Sequence, residues 1–267
     1  MGDRHGSPHN FSYETHIQGL RAIAVIAVIV YHINNLLLPG GWCGVDVFFV
    51  ISGYVVTRML QKEYNDGASI SILQFYFRRV KRLLPNSTLV LFAVLFFGKA
   101  FATIEAYGNW ISASKFIVFY AGNFYFWQAK TNYYHLENVT LNPFLHFWSL
   151  GVEEQFYLVY PAFFYGIVVY CKAHTRIVYL IFLAATLLSF VGTLYFVNSS
   201  DDQFFVFYML PTRIWQLLFG VTIASRKLQQ HEYERPLMGV LFSFFGALLI
   251  FLSFLFYDDQ TSTKWHG

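Results

Sequence analysis

Leu20-Arg21-Ala22-Ile23-Ala24-Val25-Ile26-Ala27-Val28-Ile29-Val30-Tyr31-His32-Ile33-Asn34-Asn35-Leu36-Leu37-Leu38 is a nearly unbroken apolar run, and about 20 such residues in a helix cross the hydrocarbon of a bilayer. Comparable runs follow at residues 42–60, 88–107, 144–170, 177–197, 204–224 and 237–256. Over all 267 residues, 56% are hydrophobic and 12% charged, against about half and a quarter in a soluble domain. Aromatics make up 21% and mean hydropathy is +0.45, which also excludes a disordered, collagenous or coiled-coil chain. The expected fold is all-α, a polytopic transmembrane helix bundle. Residues 110–127 are less apolar, because Ser112, Ser114, Lys115 and Asn123 interrupt them; they read as a span, a re-entrant piece or an interfacial helix. The polar start and the interruptions at Tyr31, His32, Asn34 and Asn35 leave no secretory cleavage region, so the first run reads as a retained anchor.

Charge orients these runs. The chain carries 18 Lys and Arg against 15 Asp and Glu, a net +3, and its basic residues collect at run ends, where they set membrane topology rather than bind nucleic acid. Arg58, Lys62, Arg78, Arg79, Lys81 and Arg82 face only Glu63 and Asp66 between residues 58 and 82. That segment is expected in the cytosol, and the N-terminus with it. Segments with Lys172 and Arg176, and with Arg226, Lys227 and Arg235, are also basic, whereas 128–142 and 198–203 together hold only Lys130 as a basic residue and are expected outside. The latter two contain the sequons Asn138-Val139-Thr140 and Asn198-Ser199-Ser200. An odd number of crossings must separate Arg82 from Asn138, so 88–107 is expected to span and 110–127 not to cross fully. Cys43 and Cys171 lack CxxC spacing and read as packing residues, with no metal site.

Polar residues inside spans are costly and mark candidate sites. Arg21 and His32 are eleven residues apart, on one helical stripe and separated by roughly 16 Å. Arg21 could snorkel as an anchor, and His32 could be a hydrogen-bonded packing residue. Asp46, in Gly44-Val45-Asp46-Val47-Phe48-Phe49, could pair with His32 or cap its helix. Ser52 lacks a Gly-x-Ser-x-Gly context and is not proposed as a nucleophile. Arg79 and Arg82 share a helix face, with Arg78 and Lys81 on the adjoining stripe; forked guanidiniums at this spacing suit phosphates, and equally they fix topology or touch anionic lipid. In Leu145-His146-Phe147-Trp148-Ser149-Leu150-Gly151-Val152-Glu153-Glu154-Gln155, His146 and Glu153 fall on one face and Glu154 is turned by about 80°. Arg213 lies inside a run beside Pro211, a residue that can kink a helix, and must find an anion or carbonyls.

These residues, in this order, resemble the membrane acyltransferase-3 family of O-acyltransferases, which includes bacterial polysaccharide O-acetylases and many nematode relatives. The resemblance runs through Gln18-Gly19-Leu20-Arg21 to His32, Gly44 to Tyr54, Phe77-Arg78-Arg79 with Arg82 and Pro85, His146 to Pro161, and Arg213 with Trp215 and Gly220. It implies transfer of an acyl group, commonly acetyl from acetyl-CoA, to a hydroxyl of a carbohydrate or lipid-like acceptor. It further implies that Arg79, Arg82, Arg78 and Arg21 bind acyl-CoA, a co-substrate rather than a bound cofactor. His32 would be the base with Glu153 as its orienting partner, Asp46 and His146 would support the site, and Arg213 would bind the acceptor or stabilise the oxyanion.

Two departures from the family pattern stand out. Gln216 replaces the acid often found after Arg-x-Trp, and the family's bundle of about ten spans exceeds the runs seen here, so the chain reads as a fragment or a shortened paralogue. The expected organisation is a cytosolic tail at 1–17, a transmembrane acyltransferase-like domain at 18–257 and a tail at 258–267, in the plasma membrane or an endomembrane. The expected partners are acyl-CoA, a hydroxyl-bearing acceptor and membrane lipid. A transporter would also bury charge, but no internal repeat pairs the two halves; a non-catalytic, lipid-handling relative is the other reading.

Overall fold

A computed structural model of the chain describes residues 15–65, 71–131, 133, 142–171, 175–200, 202–226 and 236–257. The expected tail up to residue 14, the Asn138 sequon, Asp66, Lys172, Lys227, Arg235 and the tail at 258–267 lie outside the described residues. Among the described residues every regular element is helical: α1 (Thr15–Ile33), α2 (Gly44–Asn65, preceded by a 3-10 turn at Gly41–Cys43), α3 (Ile72–Phe101), α4 (Ile104–Ile117), α5 (Gly122–Gln128), α6 (Phe147–Tyr170), α7 (Thr175–Ser199), α8 (Gln203–Tyr208), α9 (Leu210–Arg226) and α10 (Pro236–Phe256).

Among the described residues, five stretches are long and apolar enough to cross a membrane: Thr15–Ile33, Gly41–Asn65, Ile72–Phe101, Thr175–Ser199 and Gln203–Arg226. The chain thus has the all-α, multi-pass architecture expected. Helix α6 has the length, 24 residues, but Glu153, Glu154 and Gln155 lower its apolar content and hold it outside that group. Several boundaries differ from expectation. Helix α1 ends at Ile33, where Asn34 Oδ1 accepts from the Leu36 amide and a turn replaces the helix. Helix α3 starts well before residue 88 and carries the basic cluster on its first turns. The expected run 204–224 breaks at Met209, whose backbone is extended. Pro211 therefore does not kink a long helix; it sits in the first turn of α9, where a missing N–H costs nothing.

Contacts between helices fix their directions. Phe49 meets Trp148 with ring centroids 5.9 Å apart, Ser52 meets Glu153, and Thr57 meets Tyr160, so α2 and α6 run parallel. Asp46 meets Arg213 and Gly53 meets Leu217, so α9 runs parallel to both. Helix α7 opposes α9, pairing Thr193 with Thr212 and Thr186 with Thr222. Helix α1 opposes α2, with Ala24 against Gly44 and Tyr31 against Gly41, and α10 returns its C-terminal end to Gly40, whose amide donates to Phe254 O.

Parallel α2 and α6 require an odd number of crossings between them. Helix α3 runs antiparallel to α6, with the Tyr76 hydroxyl on Leu158 O and Ser87 bonded to Tyr120, whose carbonyl lies against Gly151, and supplies one. The segment 104–128 then adds none. Helix α4 has 14 residues and α5 has 7, about 21 and 10 Å of rise against a hydrocarbon core of about 30 Å. They form a hairpin of two helices, each shorter than that core. Its tip is at Tyr120, which has φ 53° and shares a 2.9 Å hydrogen bond with Ser87 on α3. The hairpin returns to Asp202, whose Oδ2 accepts from Trp127 Nε1 at 2.8 Å while Oδ1 caps α8 through the Phe205 amide at 3.0 Å.

The interior is aromatic: Phe49, Phe75, Phe126, Trp148, Phe164 and Tyr208 are buried. Large apolar side chains also point outward, among them Phe92, Phe96, Phe97, Leu187, Leu188, Phe244 and Phe245, as lipid-facing surfaces do. In lipid, close packing rather than apolar burial holds helices together. The tightest approach is between α2 and α9, where a Cβ on Gly53 would lie 1.9 Å from Leu217 O and one on Gly220 would lie 2.0 Å from Val50 O.

Candidate active site

The expected site residues inside the bundle fall at two levels. On α2 the two levels are marked by Asp46 and Ser52, about 9 Å apart along the axis.

At the Ser52 level, Glu153 Oε1 accepts from Ser52 Oγ at 3.0 Å and Glu153 Oε2 accepts from the Tyr157 hydroxyl at 3.4 Å. The Arg79 guanidinium lies 3.9 Å from the centroid of the Tyr157 ring and 5.7 Å from that of Phe75, a cation–π arrangement that holds its fork without consuming its donors. Arg21 and Arg79 are within electrostatic reach of Glu153, and Arg82 within reach of Arg21. Helices α1, α3 and α6 thus bring two of the four expected arginines, Arg21 and Arg79, to one carboxylate, with Arg82 in reach of Arg21. Arg78 is not among them. It turns toward α2 and bridges Glu63 at 3.3 Å with 47% of its side chain exposed, because the next position on a helix is rotated by about 100°. Glu154 is also turned away from the Ser52 contact, and its Oε1 is buried without a hydrogen-bonding partner among the described residues.

At the Asp46 level, Arg213 Nη1 donates to Asp46 Oδ1 at 3.2 Å and Gln216 Nε2 donates to the same oxygen at 2.9 Å. Arg213 Nε donates to Phe207 O at 2.9 Å, and the guanidinium lies 4.7 Å from the Phe207 ring centroid and 5.6 Å from that of Trp148. Asp46 therefore neither caps α2 alone nor pairs with His32; Arg213 takes it. His32 stands at the end of α1, its ring edge-on to Tyr31 and Tyr133 at 5.4 and 5.3 Å. Its Nδ1 bonds Val28 O at 2.8 Å. A carbonyl only accepts, so Nδ1 carries a proton and donates to Val28 O. His146, just before α6, is close enough that charge on either imidazole opposes charge on the other.

One expectation is corrected by these contacts. Glu153 does not orient His32: its oxygens are engaged by Ser52 and Tyr157 at the lower level, and Nδ1 of His32 is held by its own helix. Seven-residue spacing put His146 and Glu153 on one face of α6, but that spacing is also about 10 Å of rise, which separates them by level. Ser52, Tyr157, Trp148, Tyr133 and Gln216 were not assigned as site residues. Tyr157 follows Glu153 by four residues, a signal the sequence did contain; Tyr133 lies in a connection and had none.

The acyltransferase domain family matches residues 15–265. A Staphylococcus aureus protein (strain MSSA476), provisionally named an O-acetyltransferase, is 35% identical over 261 residues, covering 95% of this chain and 42% of that protein. The O-acetyltransferase OatA of Staphylococcus aureus (strain NCTC 8325 / PS 47) is 35% identical over 211 residues, 78% of this chain and 34% of that protein. The chain spans about two-fifths of the length of the first of these relatives. No solved structure matches it.

Proposed function

Since this chain belongs to the acyltransferase domain family over residues 15–265, we propose that it is an integral-membrane O-acyltransferase. It moves an acyl group, acetyl in the first instance, from acyl-CoA to a hydroxyl of a carbohydrate or lipid-like acceptor. The observation that carries this reading is the two-level arrangement: a cluster of guanidiniums below, a histidine held through Nδ1 and an Asp–Arg pair above, all in one bundle. The basic level faces the cytosol with the N-terminus, where acyl-CoA is available, in the plasma membrane or an endomembrane.

Arg79, Arg82 and Arg21 bind donor phosphates, where charge-assisted forks are strongest. Glu153 holds this cluster rather than the base: it offsets part of the arginines' mutual repulsion and, with Ser52, fixes Tyr157 beneath Arg79. The acceptor hydroxyl attacks the thioester carbonyl as His32 Nε2 takes its proton. The C–O bond forms, the carbon–sulfur bond breaks, and the proton passes to the departing thiolate. Arg213, fixed by Asp46 and Phe207 O, stabilises negative charge on the reacting oxygen. His146 lies beside His32 and supports the site.

The test is transfer of radiolabelled acetyl from acetyl-CoA into membranes containing this chain, beside His32→Ala and Glu153→Ala proteins at equal abundance. Incorporation that both substitutions remove is the expected result. Incorporation unchanged by His32→Ala removes His32 from the chemistry.

A further inference from the structure

Polar side chains join α2 to α6 at Ser52 with Glu153 and, further along, at Thr57 with the Tyr160 hydroxyl, 2.6 Å away. One turn beyond Thr57 the pattern stops. Gln61 lines a cavity with Phe164 and Val168 of α6 and Val178 of α7, none of which can pair with it. The residue is 2% exposed, and both Nε2 and Oε1 are buried without a hydrogen-bonding partner among the described residues. An amide buried with neither side paired is costly, because its hydration is lost and nothing replaces it. No hydrogen bond holds that amide in place, so rotation about its long, unbranched side chain can present it to a ligand in the cavity. The cavity measures about 40 Å³. Its walls of Phe164, Val168 and Val178 are buried, while Asn65 at the rim is exposed, so it opens at the end of the bundle where α2 and α6 finish and α7 begins. Gln61 is nine residues past Ser52 on α2, roughly 13 Å along the axis, which sets this place apart from both levels described above.

We propose that the Gln61 cavity is a binding site for an uncharged hydroxyl group on an apolar stem, the chemistry a neutral glycerolipid shares with a small free polyol. Three features select that class. None of the lining residues carries a charge, so a charged group would be buried uncompensated. The volume excludes a ring, since about 150 Å³ is needed to hold benzene, yet exceeds what one water requires, so the end of a ligand enters rather than its body. A hydroxyl both donates and accepts, which matches Oε1 and Nε2 of a single amide, and its stem lies against the hydrocarbon of Phe164, Val168 and Val178. Water would satisfy the amide but gain nothing from those walls.

The test needs no acetyl transfer, so its outcome is independent of the acyltransferase reading. The thermal midpoint of the purified chain is followed in dodecyldimethylamine oxide, a detergent without hydroxyls, as dioleoylglycerol, trioleoylglycerol or glycerol is added; a ligand that binds the folded state raises it. Dioleoylglycerol is expected to raise the midpoint and trioleoylglycerol, with the same chains and no hydroxyl, not to. Gln61→Leu should weaken the response to dioleoylglycerol by about tenfold or more, as loss of a hydroxyl-reading group does. Val168→Leu narrows the cavity without touching the amide and should weaken it too, which keeps the test decisive if Gln61→Leu does not fold. A response to glycerol equal to that of the lipid, with the same dependence on both residues, would uphold the hydroxyl site and make its source a soluble polyol. Equal responses to dioleoylglycerol and trioleoylglycerol, a response that neither substitution alters, or no response to any of the three would overturn the proposal.

Discussion

Arg78 and Arg79 are adjacent in sequence and opposite in circumstance. Arg79 is half-buried on Tyr157 in reach of Glu153, whereas Arg78 is exposed and bridged to Glu63. Arg79→Ala should therefore raise the KM for acyl-CoA about tenfold or more, the worth of a charge-assisted phosphate contact. Arg78→Ala should change it by less than about twofold, since exposed ion pairs contribute little; equal effects in steady-state kinetics would show that the two share one role. The same contrast sets what was legible at this scale. Helical periodicity placed Arg79 with Arg82 and Arg21 with His32, and polar residues in apolar runs marked Asp46, Glu153 and Arg213. Pairing was not legible. Asp46 chooses Arg213, 167 positions away, and nothing local in either segment records that choice.

Among elements, the contact of α2 with α9 is the least forgiving. A Cβ at Gly220 would meet the Val50 carbonyl, and a backbone oxygen cannot swing aside as a side chain does. Gly220→Val should force the helices apart, break the Asp46–Arg213 bridge and destabilise the bundle by more than a typical overpacking cost of about 1–3 kcal/mol, read as a lower thermal midpoint in detergent; an unshifted midpoint would show that the helices do not approach this closely. The joint between α5 and α8 is sensitive to pH. Partial burial alone would raise the Asp202 carboxyl, but the Trp127 indole, the Phe205 and Phe204 amides and Lys130 hold it below the usual carboxylate range. A folded value below the unfolded one means this contribution is complete above the unfolded value and is lost as pH falls through the folded one. Tryptophan emission should accordingly show an acid step below the ordinary carboxylate range, and Asp202→Asn should abolish it.

For the whole molecule, the decisive feature is the hairpin of α4 and α5, which we expect to re-enter rather than cross. Single cysteines at Ala102 and Ala129, which flank α4 and α5, should react with an impermeant thiol reagent from the same side of sealed vesicles, and a cysteine at Asn65 from the opposite side. Labelling of Ala102 and Ala129 from opposite sides would mean that 104–128 crosses. Apolar runs, charge bias and the ordered motifs were enough to establish an all-helical multi-pass chain and its family, because bilayer thickness and the cost of unpaired backbone in lipid act on each segment independently of the rest. The tertiary structure decided the break at Met209, the folding back at Tyr120, and the separation of the polar groups into two levels. Those outcomes depend on which helices lie side by side and at what depth, and helix adjacency is set by close packing between residues distant in sequence, such as Gly53 against Leu217.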